Sequence, residues 1–338
     1  MTRPVALPTA LVRIDHYSAV HLAAATARSV AQRCGLPGAM PDRAAVLASE
    51  LASNLDKHAK DGALYIQPLP LGAGLEVLAA DRGPGMPELG RCLADGYTTT
   101  GTLGAGLGAV SRIATEFTIR TRVGVGTLVG ARLALPGQPQ PVCRDAGLIS
   151  LPADGEQDCG DAGAVVEDGE RRTAMVVDGL GHGPRAADAA QVALRAFAAA
   201  PPDQPLSQLL AALHRALRHT RGAAVGLLRL YAAHAEYCGI GNVRALTVSP
   251  QGVHHRLTAQ PGVVGWKMPA PWTHTIPLPT GTTAVLHSDG ITPQWAQAPS
   301  PFLLRLPPPL LVTNVAHAHR SGRDDATVLA VKPQQEFR

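Results

Sequence analysis

Aromatic residues are scarce in this chain, at 4% of 338 positions. Its cores must therefore be built from Ala, Leu and Val, although the hydrophobic share of 46% is still that of a globular protein. Cysteine is thin as well. Cys34, Cys92, Cys143, Cys159 and Cys238 are scattered, odd in number and free of C-x-x-C spacing. That argues against structural disulfides and a zinc knuckle, and fits a reducing cytoplasm. No run of five basic residues occurs and the net charge of +4 is spread through the chain, so no nucleic-acid surface is expected. No apolar stretch reaches membrane-spanning length. Met1 to Val20 lacks the basic and apolar regions of a signal peptide, so no membrane association is expected.

What the chain has is length for two cores and a clear punctuation between them. Pro136-Gly-Gln-Pro-Gln-Pro141 follows one αβ pattern and precedes another. The expected domains are residues 1–137 and 142–338. In the first, periodicity predicts helices over His16–Arg33 and Pro41–Ala59, then strands over Ala63–Pro68 and Leu75–Ala80. A helix over Ala105–Glu116 and a hairpin of Phe117–Arg122 with Thr127–Leu133 across Gly124-Val-Gly126 complete it. The second half predicts strands Gly163–Glu167, Thr173–Val177, Ala224–Leu230, His234–Tyr237, Arg244–Val248, Thr283–His287 and Thr327–Val331. Two helices, Pro184–Ala199 and Pro205–His219, accompany them. The fold class is therefore α/β in the α+β sense: layered sheets with helices packed on them.

Carboxylates recur at the strand ends of the second half. They occur in Gly160-Asp161, Asp178-Gly-Leu-Gly-His-Gly183, Ser288-Asp-Gly290 and Gly322-Arg-Asp-Asp-Ala-Thr327. Each follows or borders a hydrophobic run that ends in glycine, so each can project into one cleft. Converging carboxylates repel and raise one another's pKa unless a cation joins them. Hard oxygen donors without His or Cys suit Mg²⁺ or Mn²⁺ rather than zinc. Two such ions clamp a phosphate and acidify a water, which makes phosphate-ester hydrolysis the expected chemistry. His182, His254, His255, His317 and His319 read as loop, strand-end and helix-face residues.

The first half carries a different constellation. Glu50 and Asn54 are four apart on the second predicted helix and share a face. A carboxylate and an amide placed so can hold a water and a divalent ion beside a nucleotide. Asp81-Arg-Gly-Pro-Gly-Met86 ends an apolar strand, where an Asp can accept a hydrogen bond from an adenine amino group. Gly101-Thr-Leu-Gly-Ala-Gly-Leu-Gly108 precedes a helix, so backbone N–H groups and the helix N-terminus can meet phosphate. It is neither a Walker A loop nor a dinucleotide fingerprint.

With these three pieces in order, residues Val12 to Leu135 resemble the GHKL ATPase superfamily, and within it the small serine/threonine switch kinases of anti-sigma and stressosome pathways. The resemblance rests on Ser49-Glu-Leu-Ala-Ser-Asn54, Asp81 to Met86, Ala94-Asp-Gly-Tyr-Thr-Thr99 and Gly101 through Phe117. It implies an ATP-binding α/β sandwich. Glu50 would be the general base for a protein hydroxyl, Asn54 would hold Mg²⁺, and Asp81 would read adenine with support from Thr127. Gly83, Gly85, Gly104, Gly106 and Gly108 would shape the phosphate lid.

Residues Gly147 to Lys332 resemble metal-dependent serine/threonine protein phosphatases of the sporulation-phosphatase (SpoIIE-like) branch. That resemblance implies a β-sandwich flanked by helices. Asp161, Asp178, Asp289, Asp324 and the Gly179 carbonyl would bind the metals, with Asp178 and Asp289 central to catalysis and Asp325 ranked below Asp324. The Ala162-Gly-Ala164 run departs from the bulkier residues usual there.

Together the resemblances imply a bifunctional regulator that adds and removes phosphate on a STAS-domain partner. The alternative keeps the first domain as an ATP-dependent, anti-sigma-like binding module and leaves only the phosphatase catalytic.

Overall fold

The computed structural model describes residues 7–87, 89, 106–135, 145–169 and 171–334. It divides into two compact units, one of residues 9–143 and one of residues 144–338 together with 1–8. The expected linker, Pro136 to Pro141, lies outside the described residues, as do Gly104 and Ala94 to Thr99.

The first unit contains strand β1 (Ala10–Ile14) and helices α1 (Ser18–Arg33) and α2 (Met40–His58). Strands β2 (Gly62–Pro68) and β3 (Gly74–Ala80), helix α3 (Gly106–Ile113), and strands β4 (Glu116–Arg122) and β5 (Gly126–Ala134) follow. The strands form one antiparallel sheet in the order β1-β2-β3-β5-β4. Helix α2 has Pro41 at its start, Asp42 in its first turn and Lys57 and His58 in its last, all favourable to the helix dipole. Its apolar face (Ala44, Leu47, Ala48, Leu51, Leu55) packs with α1 over Leu64, Ile66, Leu75 and Val77 of the sheet. Small side chains on both helices allow this close approach, as the shortage of aromatics requires.

The predicted third helix is shorter than its sequence pattern. It starts at Gly106 and stops at Ile113, so Gly106 and Gly108 lie in the helix itself rather than in a loop before it. Glu116 joins β4, where its carboxylate meets Arg132 at 3.4 Å; Arg132 also donates to the fully buried Glu76 at 2.9 Å. Tertiary pairing with a buried arginine overrides helix propensity here.

The second unit begins with β6 (Ala146–Leu151), β7 (Asp161–Asp168) and β8 (Arg171–Gly179). Helices α4 (Pro184–Ala199) and α5 (Leu206–Ala216) come next. Strands β9 (Ala223–Leu230), β10 (His234–Ile240), β11 (Arg244–Ser249), β12 (Gly252–Thr258), β13 (His274–Pro277) and β14 (Thr283–His287) follow. Helices α6 (Pro301–Leu304) and α7 (Pro308–His319) and strand β15 (Ala326–Val331) close the chain. Two antiparallel sheets result, β13-β10-β9-β8-β7 and β12-β11-β14-β15-β6. They pack face to face, with α4 and α5 outside the first and α7 outside the second. Close sheet contact explains the small residues after Asp161: a Cβ on Gly163 would stand 2.6 Å from Leu148 Cδ1.

Candidate functional site

Register builds the carboxylate edge. Asp161 opens β7 directly opposite Asp178 near the end of β8, and Gly179 follows with its N–H bonded to the Gly160 carbonyl at 2.9 Å. A Cβ on Gly179 would stand 2.5 Å from the Ala186 carbonyl, so only glycine lets α4 pack this close to the Asp178–Gly183 loop. From the other sheet, Ser288 and Asp289 follow β14, and Asp324 and Asp325 precede β15. Ser288 joins the sheets: its hydroxyl donates to Asp161 Oδ2 at 2.5 Å and accepts from the Thr327 N–H at 2.9 Å. Asn242, after β10, donates to Asp289 Oδ2 at 2.7 Å and bonds Asp178 as well.

The electrostatics follow from that convergence. Burial, then the charge of Asp178, pushes Asp161 well above the carboxylate range, against the pull of the Ser288 bond. Burial, then Asp289, pushes Asp178 from 3.8 to about 7. Asp325 is raised by burial while two backbone N–H groups, from Ala153 and Gly160, each at 2.8 Å, draw it down. Those bonds commit Asp325 to holding backbone, whereas Asp289, held by Asn242, and Asp324, whose Oδ1 accepts the Asp325 N–H at 2.9 Å, are exposed. Among the described residues no three acidic, imidazole or thiol groups already form a closed metal cage. The arrangement is an open edge of mutually repelling carboxylates whose donor set, all oxygen, fits Mg²⁺ or Mn²⁺ and not a thiophilic metal.

Of the histidines named from the sequence, His182 alone borders this edge, where its charge acts on Asp325. His182 is exposed on the Asp178–Gly183 loop, 3.2 Å from Glu156. His254 lies on β12, 2.7 Å from the Ser249 hydroxyl, and His317 and His319 lie on α7.

In the first unit Asp81 follows β3. Its Oδ1 accepts the Gly83 N–H at 2.7 Å, and its own N–H meets the Thr127 carbonyl at 3.1 Å. Burial raises its pKa, with the Gly83 and Thr127 bonds opposing. Thr127 is buried and its hydroxyl lies 3.1 Å from that of Thr121, which accepts from the Met86 N–H. Two glycines are sterically required. Gly126, at φ +134°, would put a Cβ 2.0 Å from the Asp81 carbonyl, and Gly85, at φ +74°, one 2.5 Å from the Arg122 carbonyl. Gly83 lies against His58 and Ala59 at the end of α2, the helix that holds Glu50 and Asn54 on one face. Among the described residues, buried Asn54 Nδ2 has no hydrogen-bond partner. A buried polar group left open is costly and points to a ligand.

Ser288, Asn242 and the backbone-holding role of Asp325 were not read from the sequence. Ser288 and Asp325 sit inside the acidic motifs, but their partners come from another strand. Asn242 carries no local signal beyond a Gly-Asn turn.

An antiparallel sheet under two helices, joined to an α-β-β-α sandwich with an acidic edge, defines a class: a switch-kinase-like domain fused to a metal-dependent phosphatase fold. Residues 168–334 match the family described as Stage II sporulation protein E (SpoIIE), which takes in Asp178, Asp289 and Asp324 and stops short of Asp161. The serine/threonine-protein kinase RsbT of Bacillus subtilis (strain 168) is 36% identical over 106 residues, 31% of this chain and 80% of RsbT. The phosphoserine phosphatase RsbX of the same organism is 26% identical over 146 residues, 43% of this chain and 73% of RsbX. A solved structure from work on the bacterial stressosome as a modular system controlling secondary messenger signaling is 28% identical. It aligns with a TM-score of 0.51 over 56% of this chain and 98% of its own. The chain belongs to the RsbT-like kinase family through its N-terminal region and carries a SpoIIE-type phosphatase domain after it.

Proposed function

We propose that this chain phosphorylates and dephosphorylates serine or threonine on a STAS-domain protein of a stressosome or partner-switching pathway. The observation that carries the reading is the union in one chain of an RsbT-like domain, with Glu50 and Asn54 on one face of α2, and a SpoIIE-type domain with an acidic edge. Residues 1–137 would form the first functional unit and 142–338 the second.

In the phosphatase half, Asp161, Asp178, Asp289, Asp324 and the Gly179 carbonyl would hold Mg²⁺ or Mn²⁺. Bound there, the ions supply positive charge for the phosphate and a water acidified towards neutrality. The chain's own residues do the positioning. Ser288 aims Asp161 and its hydrogen bond favours the ionised form against the burial that opposes it, and Asn242 spans Asp178 and Asp289. Attack on phosphorus breaks the bond to the seryl or threonyl oxygen, which takes up a proton; His182, exposed on the same loop, would give it.

In the first half, Asp81 would accept the adenine amino group of ATP, supported by Thr127. Gly83 and Gly85 let that loop pass close to the end of α2 and to Arg122, and Gly104, Gly106 and Gly108 would bring backbone towards the phosphates at the start of α3. Asn54 would hold Mg²⁺, and Glu50 would take the proton of the incoming hydroxyl. Phosphoryl transfer asks little more of a protein than such positioning and charge neutralisation.

If both halves acted at once on one residue, the net reaction would be ATP hydrolysis. A state of the partner or of the linker must therefore favour one activity at a time. The test is Glu50→Ala: ATP binding retained with phosphoryl transfer lost supports the kinase, and transfer at the wild-type rate overturns Glu50 as the base.

A further inference from the structure

We propose that Arg221 is the residue that binds the substrate's phosphate at the SpoIIE-type site. This rests on the phosphatase reading above and adds a phosphate-recognition residue that the acidic motifs do not contain.

The position follows from the backbone. Arg221 precedes β9, whose first residue, Ala223, lies in register with Gly179 of β8. The next bond along ties the two loops together, the Leu180 N–H donating to the Gly222 carbonyl at 3.1 Å. Arg221 therefore stands beside the Asp178–Gly183 loop, and its Nη1 would be only 3.0 Å from a Cβ placed on Gly181. Gly181 sits at φ +81°, so the absence of a side chain there both permits the turn and leaves room for the guanidinium.

The mount is rigid. The Thr220 hydroxyl donates to the Leu217 carbonyl at 2.8 Å and accepts from the Gly222 N–H at 3.0 Å. On the far side Ala223 and Val264 exchange backbone bonds of 3.0 and 2.9 Å. Gly222, at φ +81°, would put a Cβ 2.7 Å from Val263 Cγ1, so this turn closes only around glycine. Fixing the backbone on both sides lowers the entropy lost when a long side chain is ordered by a ligand.

The charge logic points the same way. Asp161, Asp178, Asp289, Asp324 and Asp325 converge on this edge, and a phosphate dianion approaching them needs fixed positive charge. Arg320, whose charge acts on the neighbouring Cys159, is already committed to Asp154 at 3.0 Å and to the Pro152 carbonyl. Arg221 is exposed, and among the described residues it forms no ion pair or hydrogen bond. A planar guanidinium presents paired N–H donors that match phosphate oxygens.

The experiment uses the full chain with Mn²⁺, p-nitrophenyl phosphate as substrate and inorganic phosphate as both inhibitor and calorimetric ligand. Arg221→Ala should raise KM and the dissociation constant of inorganic phosphate together, by about ten- to a hundredfold for the loss of a charged hydrogen bond. Arg221→Lys should recover part of both. The Mn²⁺ concentration for half-activation and the melting temperature should stay at wild-type values, as should all parameters of Arg218→Ala, an exposed neighbour. Phosphate affinity within twofold of wild type in Arg221→Ala overturns the proposal. A wild-type chain that hydrolyses no phosphate ester overturns the phosphatase reading and this inference with it.

Discussion

Asp81 follows a buried strand, Asp178 lies near the end of one, and both are shifted upwards, yet their surroundings are opposite. Asp81 is raised by burial alone, with two backbone groups opposing the shift. Asp178 is raised by burial and by the charges of Asp289, Asp324 and Asp325. A lone half-buried carboxylate next to glycine-shaped backbone is suited to a hydrogen bond with a neutral donor such as an adenine amino group. A carboxylate among carboxylates is unstable until a cation arrives. The same residue type at the same kind of strand end is thus suited to two chemistries, and the neighbours decide which.

Removing the central acid should separate the two sites most sharply. Asp178→Asn should cut phosphatase turnover by about a thousandfold or more, measured with Mn²⁺ and a phosphorylated partner, while leaving nucleotide binding in the first domain intact. Because it also deletes a repelling charge, the metal-free variant should melt at a higher temperature than the wild type. A lower melting temperature would contradict the picture of a strained acidic edge.

Glu50→Ala is the matching cut in the first domain. Loss of a general base should slow transfer by about 10²–10⁴-fold with phosphatase turnover unchanged, followed by intact-mass analysis of the partner. Ser288→Ala comes next. It should weaken Mn²⁺ activation by about 10–100-fold, the usual effect of a residue that aims a ligand, with smaller effects on turnover at saturating metal.

The pH response is the mildest effect and has a definite sign. Asp178 binds its proton more tightly folded, at about 7, than at its ordinary 3.8. In the metal-free protein the stability this contributes is full below 3.8 and is lost as the pH rises through about 7. Thermal denaturation from pH 4 to 8 should show the fall, and Mn²⁺ should abolish it. A metal-free melting temperature that climbs over this range would break the account.

Much of this was legible in the sequence. The helices with strong apolar stripes, α1, α2, α4 and α5, and the buried central strands were expected within a few residues of where they stand. The acids that share the phosphatase edge announced themselves because each borders a glycine at a strand end. Edge strands were harder. β1 is only five residues long, and β12 alternates polar and exposed side chains in Val-His-His-Arg-Leu-Thr. β13 holds a proline, and β6 gains its identity only by pairing with β15, the last strand. Helix α7 was foreseen only in the helix face read for His317 and His319, since Leu, Val and Thr crowd its core positions. Ser288, Asn242 and Arg221 act through contacts across strands or loops, and no local pattern records such partners.

The most direct test of two opposed activities uses the Asp178→Asn chain, Mg-ATP and a candidate STAS-domain protein, followed by intact mass. The account predicts that the partner gains one phosphate, and that wild-type chain with Mn²⁺ then removes it. A partner that binds the chain in the presence of ATP yet gains no phosphate would contradict it, and would leave the first domain as a sequestering module joined to a phosphatase.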